Sequence, residues 1–173
     1  MHPSPLQFKL RIAQTDDQEI IWKIVQGAIL RRKIDGSTQW QDGYPNPETI
    51  LNDINNKTGY VLEANSEIVA YTTIIFEPEP AYNEIVGSWL SDQNYVVVHR
   101  VAVHENWLGK GLATKIFELT EEVALLNKVY DIRVDTNFDN APMLKILDKL
   151  GYTYCGEVFF RGSARKAFEK ILQ

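Results

Sequence analysis

Cysteine and histidine are the scarcest reactive residues in this chain. Among 173 residues the sequence has one cysteine, Cys155, and three histidines, His2, His99 and His104. One cysteine cannot form an internal disulfide, and a lone cysteine is more often a small buried apolar residue than a nucleophile. The histidines and Cys155 lack the spacing of a metal site, so we expect no bound metal. No serine lies in a G-x-S-x-G elbow, which disfavours a triad hydrolase.

Long apolar runs and positive charge are also in short supply. The longest apolar stretches, such as YVVVH, are too short to span a bilayer, and the first ten residues lack the pattern of a signal peptide. The 18 Lys and Arg against 23 Asp and Glu leave a net charge of −5, which disfavours nonspecific attraction to nucleic acid. We therefore predict a cytoplasmic protein with no membrane or nucleic-acid partner, folded as a single domain over 1–173.

Apolar periodicity predicts a chain that mixes strands and helices. A first strand is predicted at 6–13, followed by a helix at about 16–33 that begins with a Thr15–Gln18 capping box and by a short helix that Pro47 opens. The other predicted elements are a hairpin at 60–64 and 67–76, a loop insertion at 77–94, a central strand at 95–103, a helix at 110–127, a strand at 130–136, a helix at 140–150 and two closing strands. Helices alternate with strands only in the second half. This order predicts an α/β (α+β) fold with a mixed, mostly antiparallel sheet flanked by helices.

Two glycines surround a lysine where the central strand leads into a helix. Gly109, Lys110 and Gly111 lie at the helix N-terminus, where unpaired N–H groups and the helix dipole favour an anion such as phosphate. Glycine lets a diphosphate approach the backbone and tolerates positive φ, and Lys110 adds a charge. The pattern is neither a P-loop nor a Rossmann fingerprint. Taken alone, the two glycines could equally make only a tight turn.

The wider segment HRVAVHENWLGKGLATKIFELTEEVA resembles the acetyl-CoA signature of the GNAT acyltransferases, a strand followed by [QR]-x-x-G-x-[GA] and a helix. Downstream, TNFDNAPMLKILDKLGYTYCGE resembles the second signature of that family, and QWQDGYP near 40 is similar to a bacterial branch with mostly unassigned acceptors. The resemblance is strongest over 96–157 and implies a GNAT-like fold with acetyl-CoA as cosubstrate. Two positions depart from the family pattern. Asn106 replaces its Gln or Arg, and Leu147 replaces the tyrosine that often protonates the departing thiolate.

The resemblance also implies which residues hold acetyl-CoA. The pantetheine would run beside Val101 and Val103, and a backbone N–H at that strand end would polarise the thioester carbonyl. Asn140 would either bind the pantetheine amides or cap the helix that follows it. The pyrophosphate would meet the N–H groups of Leu108, Gly109, Lys110, Gly111, Leu112 and Ala113.

The acceptor that the resemblance implies is an amine of a small molecule or peptide, which must lose a proton before it attacks. A histidine side chain ordinarily changes its charge near neutral pH, so His99 is the candidate base, with a buried, hydrogen-bonded histidine as the alternative. Arg100 should point to the opposite face and pair with a carboxylate. Trp40 and Tyr44 could line the acceptor pocket or anchor their loop on the core.

Two functions are consistent with these residues. One is an N-acetyltransferase that uses direct transfer in a ternary complex. The other is a non-catalytic acyl-CoA-binding module, which the departures at Asn106 and Leu147 favour. Pairing of the C-terminal strands could also support a homodimer.

Overall fold

Strands and helices alternate along the chain much as the periodicity predicts. The structure is a computed structural model and describes residues 4–173, so His2 lies outside the described residues. The helices are α1 (Gln18–Ile34), α2 (Pro47–Asn55), α3 (Leu112–Leu126) and α4 (Ala141–Lys149). The strands are β1 (Phe8–Ile12), β2 (Gly59–Ala64), β3 (Glu67–Ile75), β4 (Val86–Gly87), β5 (Val96–Val103), β6 (Asp131–Thr136), β7 (Thr153–Phe160) and β8 (Ser163–Ile171).

The eight strands follow the order β1-β2-β3-β5-β6-β8-β7-β4. β5 and β6 pair in parallel, whereas β1 with β2, β2 with β3, β4 with β7, β6 with β8 and β7 with β8 pair antiparallel. This pairing is that of a mixed sheet with mostly antiparallel neighbours, and the predicted fold class is confirmed. None of the helices in 4–173 is both long and apolar enough to cross a membrane.

The chain divides into two compact units. The first contains the residues up to Thr73 and Arg100–Ile116, and the second contains Ile74–His99 and Phe117–Gln173. In the first unit, the buried faces of α1 and α2 pack on β2 and β3 around residues that are nearly inaccessible to solvent. The core includes Ile21, Ile24, Val25, Ile50, Val61 and Tyr71.

The start of α1 differs from the predicted capping box. A 3₁₀ turn, Thr15–Asp17, precedes the helix, and the N–H of Gln14 donates to the Asp17 carboxylate at 2.7 Å. Arg11 donates to the same carboxylate at 2.8 Å, and this hydrogen bond, against the effect of burial, lowers the pKa of Asp17. The predicted Thr15–Gln18 box is therefore wrong, because an arginine on β1 fixes Asp17 where it satisfies the free N–H.

The segment 77–94 is more ordered than the predicted loop insertion. It contains a 3₁₀ helix, Pro80–Glu84, and the strand β4. Tyr82 is fully buried, and its carbonyl accepts the indole N–H of Trp89 at 2.8 Å. The predicted irregular loop is therefore wrong for part of this segment. The aromatic side chains of Tyr82 and Trp89, which follow no periodic spacing, pack this segment within the second unit.

Gly87 of β4 and Gly156 of β7 pair so closely that neither could carry a side chain. A Cβ on Gly87 would lie 2.1 Å from the Cys155 carbonyl oxygen, and one on Gly156 would lie 2.2 Å from the Val86 carbonyl oxygen. Both glycines also have φ close to +140°, a conformation that other residues rarely adopt. The backbone contact between β4 and β7 therefore requires glycine on both strands.

A buried polar cluster lies between β6, β8 and the 77–94 segment. Arg133 donates to Glu169 at 2.7 Å, the N–H of Leu90 donates to the same carboxylate, and Ser91 donates to Asp131 at 2.7 Å. Asp131 and Glu169 are both inaccessible to solvent. Burial, followed by its hydrogen bond with Glu169, raises the pKa of Asp131 to about 7. The two carboxyl groups and one guanidinium thus fix the inner end of this segment.

Candidate functional site

The glycine loop leads from β5 into α3 within the first unit. β5 ends at Val103, a 3₁₀ turn spans Glu105–Trp107, and α3 begins at Leu112. Gly109 and Gly111 both have φ of +75°, and no atom lies within 4 Å of the position that a Cβ would take on either glycine. The first N–H groups of α3 have no partners inside the helix, as at every helix start. The backbone of this loop is therefore exposed and in the left-handed conformation. It lies at the N-terminus of α3, where the helix dipole is positive.

The head of the loop is shaped by its own side chains. The Nδ1 atom of His104 accepts the N–H of Asn106 at 3.1 Å, so this amide is used within the turn. The ammonium of Lys110 lies 4.8 Å from the centre of the Trp107 ring, a cation–π contact. Lys110 and both glycines are exposed. A positive side chain thus stands beside the exposed backbone.

At the end of β5, some backbone N–H and C=O groups point to the edge that does not pair with β3. The N–H of His104 donates to the Val69 carbonyl at 2.9 Å, so by strand alternation the backbone groups of Val101 and Val103 point to the other edge. The carbonyl of Val103 accepts a hydrogen bond from Nη2 of Arg31 at 2.8 Å. The paired part of β5 with β6 covers Val96–Val98 only. Arg31 is not among the predicted site residues, because α1 and β5 are distant along the chain.

Arg100 lies in a closed polar cluster of the first unit. Its Nε donates to Asp53 at 3.0 Å, and its Nη1 donates to the Tyr44 hydroxyl. The Tyr71 hydroxyl donates to the same Asp53 carboxylate at 2.6 Å. The predicted pairing of Arg100 with a carboxylate is observed. Arg100 has φ of +55°, a left-handed backbone conformation within β5.

His99 lies in a more open cluster of the second unit. Its Nδ1 is 3.7 Å from Asp135 Oδ2, and its Nε2 is 3.8 Å from Glu79 Oε2. The ring also meets Phe160 edge to face at 5.9 Å. The Tyr82 hydroxyl donates to Asp135 at 2.7 Å. Neither carboxylate is within direct hydrogen-bond distance of the imidazole, so the cluster is a candidate proton-transfer site.

The other predicted site residues have structural contacts. Asn140 caps α4 by accepting the N–H of Met143 at 3.3 Å, as one of its two predicted roles requires. Trp40 packs against the core of the first unit, and Tyr44 bonds Arg100 and precedes a cis peptide bond to Pro45. Leu147 is fully buried in α4. Within 4–173, no group of histidine, cysteine and carboxylate side chains could hold a metal ion.

The strand order and the open loop at the start of α3 define a mixed α/β fold with an exposed helix N-terminus after its central strand. A family model described as acetyltransferase (GNAT) family matches residues 30–152. The structure of a GNAT acetyltransferase from Streptococcus agalactiae 2603 is 35% identical, covers 96% of both chains and has a TM-score of 0.89. The chain therefore belongs to the GNAT acetyltransferase family.

More distant structures share the fold. A GNAT acetyltransferase from Listeria monocytogenes 4b F2365 is 20% identical over 95% of both chains, with a TM-score of 0.77. The structure of yncA from Salmonella typhimurium, which contains its cofactor acetyl-CoA, is 17% identical over 96% of this chain and 94% of its own, with a TM-score of 0.68. The search of curated protein sequences gives no match.

Proposed function

We propose that this protein transfers an acetyl group from acetyl-CoA to an amine of a small molecule or peptide, by direct transfer in a ternary complex. The observation that carries the proposal is the open backbone of Gly109 and Gly111 at the start of α3. Both glycines have φ of +75°, and the space that their Cβ atoms would take contains no other atom within 4 Å. Side chains at these positions would block a diphosphate, so the residues present fit the pyrophosphate of CoA.

The proposal gives each part of acetyl-CoA a partner. The N–H groups of 108–113 and the Lys110 charge would hold the pyrophosphate, and the backbone edge of Val101 and Val103 would hold the pantetheine. We also assign Asn140, which caps α4 through its side-chain oxygen, to the pantetheine. The fold-level relative yncA, which contains acetyl-CoA, supports the choice of cosubstrate.

His99 is the proposed base. An alkylamine has a pKa near about 10, so at neutral pH it must lose a proton before its nitrogen can attack the thioester carbonyl. The imidazole of His99 lies between the carboxylates of Glu79 and Asp135, at 3.8 and 3.7 Å, which would stabilise the imidazolium after proton transfer. We assign Tyr44 and Trp40 to the wall of the acceptor pocket, fixed by Arg100 and by the core respectively.

One observation favours the second candidate, a non-catalytic acyl-CoA-binding module. Leu147 is fully buried at the position where the family often has its tyrosine, so no proton donor stands there. Burial, followed by the Glu169 charge, raises the pKa of the nearby Cys155 to about 11, so its thiol stays protonated near neutral pH. The departing thiolate, with a pKa near about 8.5, is nevertheless stable enough to leave with water as its proton source.

Calorimetric titration with acetyl-CoA tests the cosubstrate site. We expect micromolar binding to the wild-type protein and loss of binding in Gly111→Glu, which places bulk and negative charge where the diphosphate would lie. Gly162→Glu is the matched control, because Gly162 has the same φ of +75° and equally open space in the β7–β8 turn. Equal loss in both variants, or no binding to the wild-type protein, would overturn the proposal.

Release of CoA in the presence of amines separates the two candidate functions. An acetyltransferase releases CoA in proportion to the amine consumed, and His99→Ala slows this release while acetyl-CoA still binds. Binding without turnover for a broad set of amines would favour the non-catalytic module. We also propose a single cytoplasmic domain over 1–173. We further propose that two copies of the chain pair through their C-terminal strands, and sedimentation analysis tests whether this homodimer forms.

A further inference from the structure

A cleft lies between the exposed face of α1 and the turn that follows β5. Its volume is about 530 Å³, within the range of about 300–1,000 Å³ that small-molecule sites have. Residues of α1 form one side of the cleft, and Gln41, His104 and Glu105 form the other. All of these residues belong to the first unit. None of them is assigned to acetyl-CoA or to the acceptor by the proposed function.

Gly27 lines this cleft at a position where packing does not require glycine. It lies in the interior of α1, where glycine is less favourable than any residue except proline. A Cβ on Gly27 would meet only Arg31 Nη1, at 3.5 Å, which is an ordinary van der Waals contact. Alanine would therefore fit the fold at this position. Without a side chain, Gly27 leaves the cleft open above the helix backbone.

Arg31 brings an incompletely hydrogen-bonded guanidinium next to Gly27. Its Nη2 donates to the Val103 carbonyl at 2.8 Å, whereas its Nη1 is buried and has no hydrogen-bond partner among residues 4–173. Burial lowers the pKa of Arg31, against the charges of Glu105 and Asp35, which raise it. Arginine keeps its proton in proteins, so this side chain stays charged. A buried charge of this kind is stabilised by an anion bound nearby.

Lys23, Gly27 and Arg31 follow one another at steps of four residues along α1. Residues four apart are neighbours on a helix surface, with about 5–6 Å between their Cβ positions, so a cationic side chain lies on each side of Gly27. Ile24 and Leu30, three residues before and after Gly27, also line the cleft, and Leu30 is 56% exposed. This local pair of cations occurs in a chain whose net charge is −5. Cations beside apolar surface match an anion that carries an apolar group.

We propose that this cleft binds an organic monocarboxylate with an apolar tail, and that the carboxylate lies above Gly27 between Lys23 and Arg31. The tail packs along Ile24 and Leu30. A cationic amine with the same tail meets two positive charges and is disfavoured, so the site differs in ligand class from the proposed acceptor site. The inference does not depend on the proposed function.

Glu105 opposes the anion from the other side of the cleft. Its charge acts on Arg31, although Arg31 Nη1 has no hydrogen-bond partner among residues 4–173. Removing the Glu105 charge leaves more of the Arg31 charge for a bound carboxylate. Glu105→Gln should therefore tighten the binding of octanoate by about threefold, the size expected for one exposed pair of charges. A substitution that only disturbed the turn would weaken binding instead.

NMR titration of ¹⁵N-labelled protein tests the site and its ligand class. Octanoate should shift the amide signals of Ile24 and Leu30 with a dissociation constant of about 1 mM or below. Octylammonium has the same tail and the opposite charge, and acetate has the charge without the tail. Neither should shift these signals at the same concentrations. Equal binding of octylammonium or acetate, or no binding of octanoate, would overturn the inference.

Two substitutions on α1 separate the space from the charge. Gly27→Leu fills the cleft and should abolish octanoate binding, while its thermal unfolding midpoint is no lower than that of the wild-type protein, because glycine is replaced in a helix interior. Lys23→Gln should weaken binding by about threefold. Lys145→Gln, at an exposed lysine of α4, is the matched control and should leave binding unchanged. If Gly27→Leu does not fold, the opposite effects of Lys23→Gln and Glu105→Gln decide the inference, and equal effects overturn it.

A titration at saturating acetyl-CoA separates this cleft from the proposed cosubstrate site. Octanoate should bind with an affinity within about twofold of that of the free protein. Direct competition would place the cleft in the cosubstrate site and overturn the inference. If the wild-type protein does not bind acetyl-CoA, the proposed function fails, and the octanoate titration of the free protein decides the inference by itself.

Discussion

Two neighbouring residues of β5, Arg100 and His99, both face carboxylates but in different ways. Arg100 bonds Asp53 within hydrogen-bond distance, and Asp53 in turn accepts the Tyr71 hydroxyl at 2.6 Å. His99 stands 3.7 and 3.8 Å from its two carboxylates. In the first cluster Arg100 donates direct hydrogen bonds to its carboxylate, and in the second both carboxylates lie beyond that distance from the imidazole. Direct hydrogen bonds to a carboxylate thus distinguish the Arg100 cluster from the His99 cluster.

The closed cluster also has backbone strain to offset. A left-handed backbone at a residue other than glycine costs roughly 1–3 kcal/mol, and Arg100 has φ of +55°. Such a conformation persists only where the surrounding structure fixes it. The hydrogen bonds from Arg100 to Asp53 and Tyr44 provide that constraint. The open cluster carries its ring on ordinary strand backbone and needs no such support.

The largest expected effect comes from opening the closed cluster. Asp53→Ala leaves the Arg100 guanidinium buried without its carboxylate, so we expect the free energy of unfolding to fall by about 3–5 kcal/mol. Urea denaturation followed by circular dichroism measures the change. Asp92→Ala, at an exposed aspartate, is the control and should have little effect. A loss below about 1 kcal/mol in Asp53→Ala would mean that this cluster is not structural.

The Asp131–Glu169 pair sharpens the comparison, because its two buried carboxyl groups share one guanidinium, that of Arg133. The pKa of Asp131 is about 7 in the folded protein, above that of an unfolded carboxyl. The folded state therefore binds more protons between these values, and its stabilisation is complete below the unfolded pKa and is lost as pH rises through 7. We expect the free energy of unfolding to fall by about 2 kcal/mol between pH 5 and pH 8.

Urea denaturation across this pH range measures the slope, and Asp131→Asn should flatten it. The exposed aspartate at position 92 provides a matched change of the same type, and Asp92→Asn should leave the slope unaltered. An unchanged slope in Asp131→Asn would assign the pH dependence to other groups.

A smaller effect should follow from crowding the closed cluster. A Cβ on Gly59 would lie 2.9 Å from the Tyr71 hydroxyl oxygen and 3.2 Å from a carbon of the same ring. Gly59→Ala should therefore displace the Tyr71–Asp53 hydrogen bond and lower the free energy of unfolding by about 1–3 kcal/mol. Thermal unfolding measures the effect of Gly59→Ala in the wild-type protein and in a Tyr71→Phe background. The comparison shows whether the Tyr71 hydroxyl causes the loss of stability. Equal effects of Gly59→Ala in both backgrounds would exclude the hydroxyl contact as the cause.

The smallest expected effect on stability belongs to the open cluster. Glu79 is partly exposed and lies beyond hydrogen-bond distance of His99, so Glu79→Gln should change the free energy of unfolding by less than about 1 kcal/mol. Urea denaturation beside Glu84→Gln makes this measurement. A loss as large as that of Asp53→Ala would show that both clusters are structural and would remove the contrast between them.

Much of the fold follows from local sequence pattern. The period of apolar residues gives α1 and α3, and the glycines mark the junction where α3 begins. The predicted pairing of Arg100 with a carboxylate was correct, but its partner, Asp53, lies 47 positions away and has no local signal. Glu79 was missed for a similar reason, since it lies in a proline-rich segment without a period and reaches His99 only in the folded chain.

Asp17, in the 3₁₀ turn before α1, illustrates a further limit. The spacing of Thr15 and Gln18 satisfies the capping-box pattern, yet Asp17 accepts the Gln14 N–H because Arg11 holds its carboxylate. Local pattern thus identifies the helix but not the hydrogen bonds of the turn that precedes it. Contacts between strands and distant helices decide such details, and one sequence does not encode them in a short motif.

The close contact between Gly87 and Gly156 limits how this protein can be re-engineered. A library that varies the 77–94 segment to change the acceptor has to keep both glycines, since any Cβ there would overlap a carbonyl oxygen. The exposed stretch 92–94 carries no such restriction and is the place where added residues should be tolerated. Diversity in loop length is therefore best introduced after β4, with the positions around Glu79 varied by substitution alone.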